Sequence, residues 1–270
     1  MRVLFFADIF GKPGRKAVAA ALPRLKAEYS PDFIIGNAEN LAGGRGVNHR
    51  TFNQLTNMGF HVLTTGNHAW DNREILQIFE KDRRLLRPAN FPDCEKWPCP
   101  GKGFEIYETN GFKLCVVNLI GRVFMADVDC PFQVADKILA QIPAGIPIFV
   151  DMHADATSEK NAMGWFLAGK VAAVVGSHAH VQTADERILP GGTAYISDVG
   201  MSGSFDSVIG LSAPQVIQRL ITKRPYPYEA ATENLGIGCV VIDIDDNGKG
   251  TKIERIRWSG LGSDSEGDGD

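Results

Sequence analysis

The sequence predicts an α/β fold in which two mixed β-sheets pack together with helices outside. Three observations carry this expectation. Strand-length apolar runs alternate with amphipathic, helix-length runs through the first 82 residues, the pattern of βαβ units on a largely parallel sheet. Asn110-Gly111 separates two β-like runs, and Asp246-Asn247-Gly248 separates two more; Asn-Gly between such runs is the strongest short-range hairpin signal. Hairpins in both halves, with no repeat or low-complexity linker between them, argue for two sheets in a single domain over 1–258.

In order, VLFFAD (3–8) reads as a buried strand and RKAVAAALPRLKAEY (15–29) as a helix, bent or interrupted near Pro23, which cannot donate to the helical ladder. DFIIGNAEN (32–40) is a second strand running into a polar turn. HRTFNQLTNMG (49–59) has helical spacing and a glycine stop, and HVLTTGN (61–67) is a third strand. DNREILQIFEKD (71–82) reads as a helix with Asp71 as its cap. GFEIYETNGFKLCVVNLIG (103–121) is the first hairpin. VADKILAQI (134–142) and KNAMGWFLAG (160–169) are helical, and PIFVDMHAD (147–155) and VAAVVGSHAH (171–180) are strands ending in polar residues. GTAYISDVG (192–200) follows, then helical APQVIQRLITK (213–223) and the closing hairpin GCVVIDIDDNGKGTKIERIRW (238–258).

Composition narrows the function classes. The chain is 44% hydrophobic and 22% charged, as ordinary globular domains are. No apolar run approaches the ~20 residues of a membrane span. The apolar start of MRVLFFADIFGKPG is only strand-length and is broken by Asp8, unlike a signal peptide. A cytoplasmic protein without membrane contact is therefore expected. Cys94, Cys99, Cys115, Cys130 and Cys239 are scattered and form no CxxC, which argues against a disulfide framework or a zinc finger. Net charge is −4, and the final SGLGSDSEGDGD carries Asp264, Glu266, Asp268 and Asp270 with no base. Residues 259–270 thus read as a disordered acidic tail on a near-neutral body. Without a basic stripe, duplex nucleic acid is not an expected partner.

The ends of the apolar strands carry the chemistry. They bear Asp8; Glu39 and Asn40; Asn67 and His68; His153; His178 and His180. In open α/β sheets, ligands collect outside the carboxyl ends of the strands, so parallel neighbours would bring all of these to one rim. Taken singly, Asp8 reads as a turn or cap residue, Asn67 as a turn residue, His68 as a hydrogen-bonded rim histidine and His153 as merely buried. Glu39-Asn40 could simply start a loop. His178 and His180 are harder to dismiss, because a spacing of two puts both rings on one side of an extended chain. His49 and His61 lie elsewhere and read as structural. Carboxylate, amide and imidazole together suit manganese, iron or zinc. The candidates are too many for one catalytic zinc with its usual three protein ligands. Two metals need a bridge, and Glu39 is the best candidate. Arg45, His49, the 199–204 stretch and the pair Arg122 and Phe124 are further candidates to border the pocket, with solvated loops as the simpler reading.

GNAEN, TGNH, DMHA and GSHAHVQ resemble the calcineurin-like metallophosphoesterases, and within them the YmdB-type bacterial phosphodiesterases, whose opening motif FFADIFGKPGR also resembles. The resemblance runs in order and spacing from about residue 1 to residue 258. The broad superfamily has an Asp-x-His opening and a bridging Asp; here Phe10 and Glu39 stand at those places. The resemblance implies an αββα sandwich and a centre of two metal ions, iron or manganese with zinc as the alternative. It implies that Asn40 replaces the missing opening His, so that Asp8, Glu39, Asn40 and His180 hold one ion and Glu39, Asn67, His153 and His178 the other. His68 is left free as proton donor to the leaving oxygen, opposite in-line attack by a bridging hydroxide. It also implies a small phosphodiester substrate, cyclic nucleotides and 2′,3′-cyclic ones among them, and a homo-oligomer. The competing readings are a phosphomonoesterase on the same scaffold and a regulatory module that holds a nucleotide without turning it over. A capsule-synthesis-type relative shares the His-x-His turn, but the missing export signal argues against it.

Overall fold

β1 (Arg2–Phe6), α1 (Gly11–Tyr29), β2 (Phe33–Asn37), α2 (His49–Met58), β3 (Val62–Thr64) and α3 (Ile75–Lys81) open the chain as the alternation predicts. The structure, a computed structural model, describes residues 1–261, so the acidic tail expected at the C-terminus lies, from 262 on, outside the described residues. β4 (Phe104–Thr109) and β5 (Phe112–Ile120) form the first hairpin, with both Asn110 and Gly111 at positive φ as its tight turn requires. α4 (Pro131–Leu139), β6 (Ile148–His153), α5 (Thr157–Leu167) and β7 (Ala173–Ser177) follow. β8 (Arg187–Leu189), β9 (Thr193–Ile196), β10 (Gly203–Ser204) and α6 (Ala213–Thr222) lead to the closing hairpin of β11 (Leu235–Ile244) and β12 (Gly250–Trp258).

The strands make two six-stranded mixed sheets. In the first, β1, β2 and β3 run parallel, and the C-terminal hairpin pairs antiparallel to β1 through β11. In the second, β5, β6, β7 and β9 run parallel, with β4 and β8 antiparallel at the edges. Side-chain alternation along β1 shows the layering. Val3, Phe5 and Ala7 enter the apolar layer between the sheets, with Phe33, Ile35, Val116, Phe149 and Val175. Leu4 and Phe6 face the other way, onto Val18, Leu22 and Leu25 of α1. The second sheet packs its outer face on Met163 and Leu167 of α5. Two sheets with helices on their outer faces are the αββα sandwich. Among the described residues no helix is long and apolar enough to cross a membrane.

Three local expectations need correction. α1 starts earlier, at Gly11, and continues through Pro23 rather than stopping there. α3 starts later, at Ile75, and Asp71 is not its cap; 67–74 is a turn that carries His68. His178 and His180 do not lie on extended chain: β7 ends at Ser177, and the two histidines have φ of 101° and 62°. The convergence of strand ends also differs from a single row of neighbours, because it joins the carboxyl ends of β1–β3 to those of β6 and β7 across two sheets.

The sheets are tied by polar groups directly beneath that rim. Asp151 of β6 is fully buried and accepts from Thr64 Oγ1 at 2.5 Å and Asn37 Nδ2 at 3.0 Å, both of the first sheet. It also accepts from Ser177 Oγ at 2.7 Å. Burial pushes its carboxyl up, against His153 and these donors, which pull it down. Asp151→Ala removes the acceptor of three buried donors, Asn37 alone keeping a second one in Thr65 O at 3.3 Å; an unsatisfied buried donor costs about 1–3 kcal/mol. A loss of about 3 kcal/mol or more is expected in urea denaturation, while Trp97→Ala at an exposed site should change stability by less than about 0.5 kcal/mol.

Candidate metal centre

Seven of the eight site residues proposed from the sequence are linked by contacts at one rim, with Asn40 beside Glu39 in the chain, and the reason each points there is local. Asp8 follows β1 at φ 38°. Its Oδ2 accepts from His178 N at 2.9 Å, and its buried Oδ1 has no hydrogen-bond partner, with His180 Nε2 at 3.7 Å. Asn37 turns the chain after β2: its Oδ1 accepts from Glu39 N at 3.1 Å. Glu39 is 1% exposed, and its Oε2 lies 3.1 Å from His153 Nε2 and accepts from His68 N at 3.3 Å. Asn40 donates Nδ2 to Gly44 O at 3.0 Å, so its buried Oδ1 is left without a partner. Gly66 precedes Asn67, and only a glycine fits there, because a Cβ would collide with Glu39 Oε2 and the ring of His153.

Three imidazoles have their tautomer set by what they face. His153 Nδ1 points at Ser177 Oγ at 2.9 Å, and that hydroxyl gives its own proton to Asp151. Nδ1 therefore carries hydrogen, and Nε2 faces the centre, 3.0 Å from Asn67 Oδ1 and 3.1 Å from His178 Nδ1. His180 Nδ1 donates to Ile209 O at 2.9 Å, which leaves Nε2 for the Asp8 side. His68 Nδ1 donates to Asp71 Oδ2 at 2.8 Å. Asp71, expected as a cap, instead orients the ring whose Nε2 then looks outward.

The ligand atoms fall into two groups. Glu39, His153 and His178 each place one donor within 4.8 Å of the others, and so do Asp8, Glu39 and His180. Glu39 is common to both. The unpartnered buried oxygens of Asp8 and Asn40 are what a cation would satisfy, since buried polar atoms normally find partners. The donor set of carboxylate, amide and imidazole fits borderline metals. Burial and mutual charge oppose one another among these groups. Burial drives the Asp8 carboxyl up to about 7 against the pull of His180 and His153. Burial would raise Glu39 too, but His153 outweighs it, aided by His68 and His178, and holds it down at about 2. The His153 imidazolium loses by burial and gains more from Glu39 and Asp8, ending at about 9. Burial and the charge on His153 push His178 down to about 3.

With this geometry, comparison with known proteins decides the kinship. The model of the YmdB-like protein family matches residues 4–256. The chain belongs to the YmdB-like family. A relative in Bacillus subtilis, named 2′,3′-cyclic-nucleotide 2′-phosphodiesterase, is 46% identical over 258 residues, 95% of this chain and 96% of that protein. A hypothetical protein from Thermus thermophilus shares the fold at TM-score 0.89 and 37% identity, covering 96% of this chain and 99% of that one. A structure described as a novel phosphatase from Mycoplasma pneumoniae also has TM-score 0.89, at 33% identity, covering 96% and 93%. The YmdB-like family is a subgroup of the metallophosphoesterases, so ions of the divalent kind go with this fold.

The other candidates separate. His49 Nε2 lies 3.2 Å from Gln77 Oε1, and His61 Nδ1 accepts from Ile34 N at 2.9 Å. Met201, in the 199–204 stretch, lines a cavity of about 360 Å³ that also touches His180, Phe205 and Arg257. Arg122 and Phe124 are exposed on the loop after β5. Sequence reasoning missed Asp71 and the pair Lys160–Asp198, which lie outside the quoted motifs; Asp151 within DMHA, Ser177 within GSHAHVQ and Asn37 within GNAEN were visible but unread.

An ion taken up at His153 must displace its proton. Because that proton is held up to about pH 9, uptake should strengthen as pH rises from 7 toward 9, by about tenfold per unit for one proton released. Calorimetry of Mn²⁺ binding in buffers of different ionisation enthalpy checks this, and affinity flat over that range would contradict it.

Proposed function

We propose that the chain is a di-metal phosphodiesterase acting on small phosphodiesters, with cyclic nucleotides, 2′,3′-cyclic ones included, as the substrate class. One observation carries this: Glu39 belongs to both ligand groups, the arrangement two ions sharing a bridging carboxylate need. The name and 46% identity of the Bacillus subtilis relative support the reaction type and the substrate class.

Asp8, Asn40 and His180 would hold one ion with Glu39; Asn67, His153 and His178 would hold the other with the same Glu39. Manganese, iron or zinc suits these donors. When bound, the pair of ions acidifies water and neutralises charge on the phosphate oxygens. The chain supplies the rest. His68 Nε2, free because Nδ1 is given to Asp71, protonates the departing alkoxide, and Asp71 steadies the imidazolium before that transfer. Ser177 and Asp151 hold His153 in one tautomer and one orientation, as outer partners of metal-binding histidines do. Glu39 accepts the backbone N–H of His68, which ties the proton donor to the ligand set.

Elemental analysis of the purified chain should find about two metal ions per chain, and Glu39→Ala should abolish uptake of both. His68→Ala should lower kcat on an alkyl-ester substrate by about 10²–10⁴ and much less on a nitrophenyl diester, whose leaving group needs no proton. Equal rates on the alkyl ester would remove His68 from the mechanism. Faster turnover of a monoester than of its diester would make the protein a phosphomonoesterase. Nucleotide held without product would make it a binding module.

A further inference from the structure

The geometry points to Asp198, its charge balanced by the buried Lys160, as a positioning residue whose side-chain oxygen holds the His178-Ala179-His180 turn so that both imidazoles face the centre. This rests on reading that centre as the metal site. Lys160, on α5, is 2% exposed, and its Nζ lies 2.7 Å from Asp198 Oδ2. The same Nζ donates to Ser177 O at 3.2 Å, and the same Oδ2 accepts from Ala179 N at 3.0 Å. Asp198 is itself held, its Oδ1 accepting from Gly200 N at 2.8 Å.

Four consecutive residues are therefore anchored one by one. Ser177 is held through Lys160, His178 N through Asp8, Ala179 through Asp198, and the His180 ring through Ile209. The turn needs this. His178 and His180 both occupy the positive-φ region, where non-glycine residues persist only when their surroundings over-determine them. Lysine is almost never fully buried unless paired, and an apolar residue would fill the same place without desolvating a charge. The local sequence accommodates the pair: Gly176 has no Cβ to strike the Lys160 stem or Ser197 O. Neither side chain is in the ligand groups, so the pair acts through backbone, on the two residues that serve different ions.

The test compares full-length wild type with two double variants, K160M/D198N and K160M/D198A. Both remove the charge pair, and replacement of a buried pair by neutral groups is often tolerated; only the first keeps an oxygen for Ala179 N–H. Mn²⁺ uptake is read by competition with a fluorescent chelator, alongside the melting temperature. K160M/D198N should bind Mn²⁺ within a few-fold of wild type. K160M/D198A should bind about 10–100-fold more weakly at a melting temperature close to that of K160M/D198N. Equal uptake by both variants, whether strong or weak, overturns the clamp. If K160M/D198A does not fold, hydrogen exchange at Ala179 in the wild type decides: protection supports the clamp, and exchange at open-loop rates overturns it. Wild type that takes up no Mn²⁺ would sink the metal reading itself, and this inference with it; uptake by wild type and both variants alike would sink only this inference.

Discussion

Asp151 lies buried where the two sheets meet, and its carboxylate collects hydrogen bonds from Asn37 and Thr64 of one sheet and Ser177 of the other. A carboxylate in that position would be a liability were it not saturated with donors. Saturated, it locks the lateral register of the sheets at the place where register matters. A slide between them would separate Glu39 and Asn67 from His153 and His178. The ligand groups draw on both sheets, so the tie between sheets is a condition for the centre and not an ornament of the core.

The same polar chain sets chemistry as well as geometry. Through Ser177, Asp151 fixes which nitrogen of His153 carries hydrogen, and so which one is offered to the centre. Asp71 does the same for His68 and the carbonyl of Ile209 for His180. These three imidazoles thus each have one nitrogen committed to the scaffold and one left for work. Around them the backbone is held in left-handed conformations at Asp8, His178 and His180, each costing about 1–3 kcal/mol. That strain sits on candidate ligand residues, and a dense set of hydrogen bonds from the surrounding elements maintains it.

Much of this was legible in the order of residues. Apolar runs of strand length, the Asn110-Gly111 turn and the polar residues that end the strands led to two mixed sheets and a rim of Asp8, Glu39, Asn40, Asn67, His68, His153, His178 and His180. The misreadings were of local conformation. Asp71 looked like a cap because Asp before an amphipathic run usually is one; its carboxylate instead serves a histidine three residues back, a contact that depends on the turn at 67–74. His178 and His180 do face one centre, but the reason is two left-handed residues in a turn, not strand alternation.

The sequence by itself determined the alternation of strands and helices, the chemical identity of the candidate ligand set and its place at strand ends, because periodicity and residue type are properties of the chain alone. Only the tertiary structure decided that these ends belong to two sheets, that Glu39 is common to both ligand groups and that Asp151, Asp71, Lys160 and Asp198 support them. Those facts rest on contacts between residues far apart in the chain, 114 positions in the case of Asn37 and Asp151. No local pattern encodes such a contact; it exists only once packing of the apolar faces has brought the two sheets together.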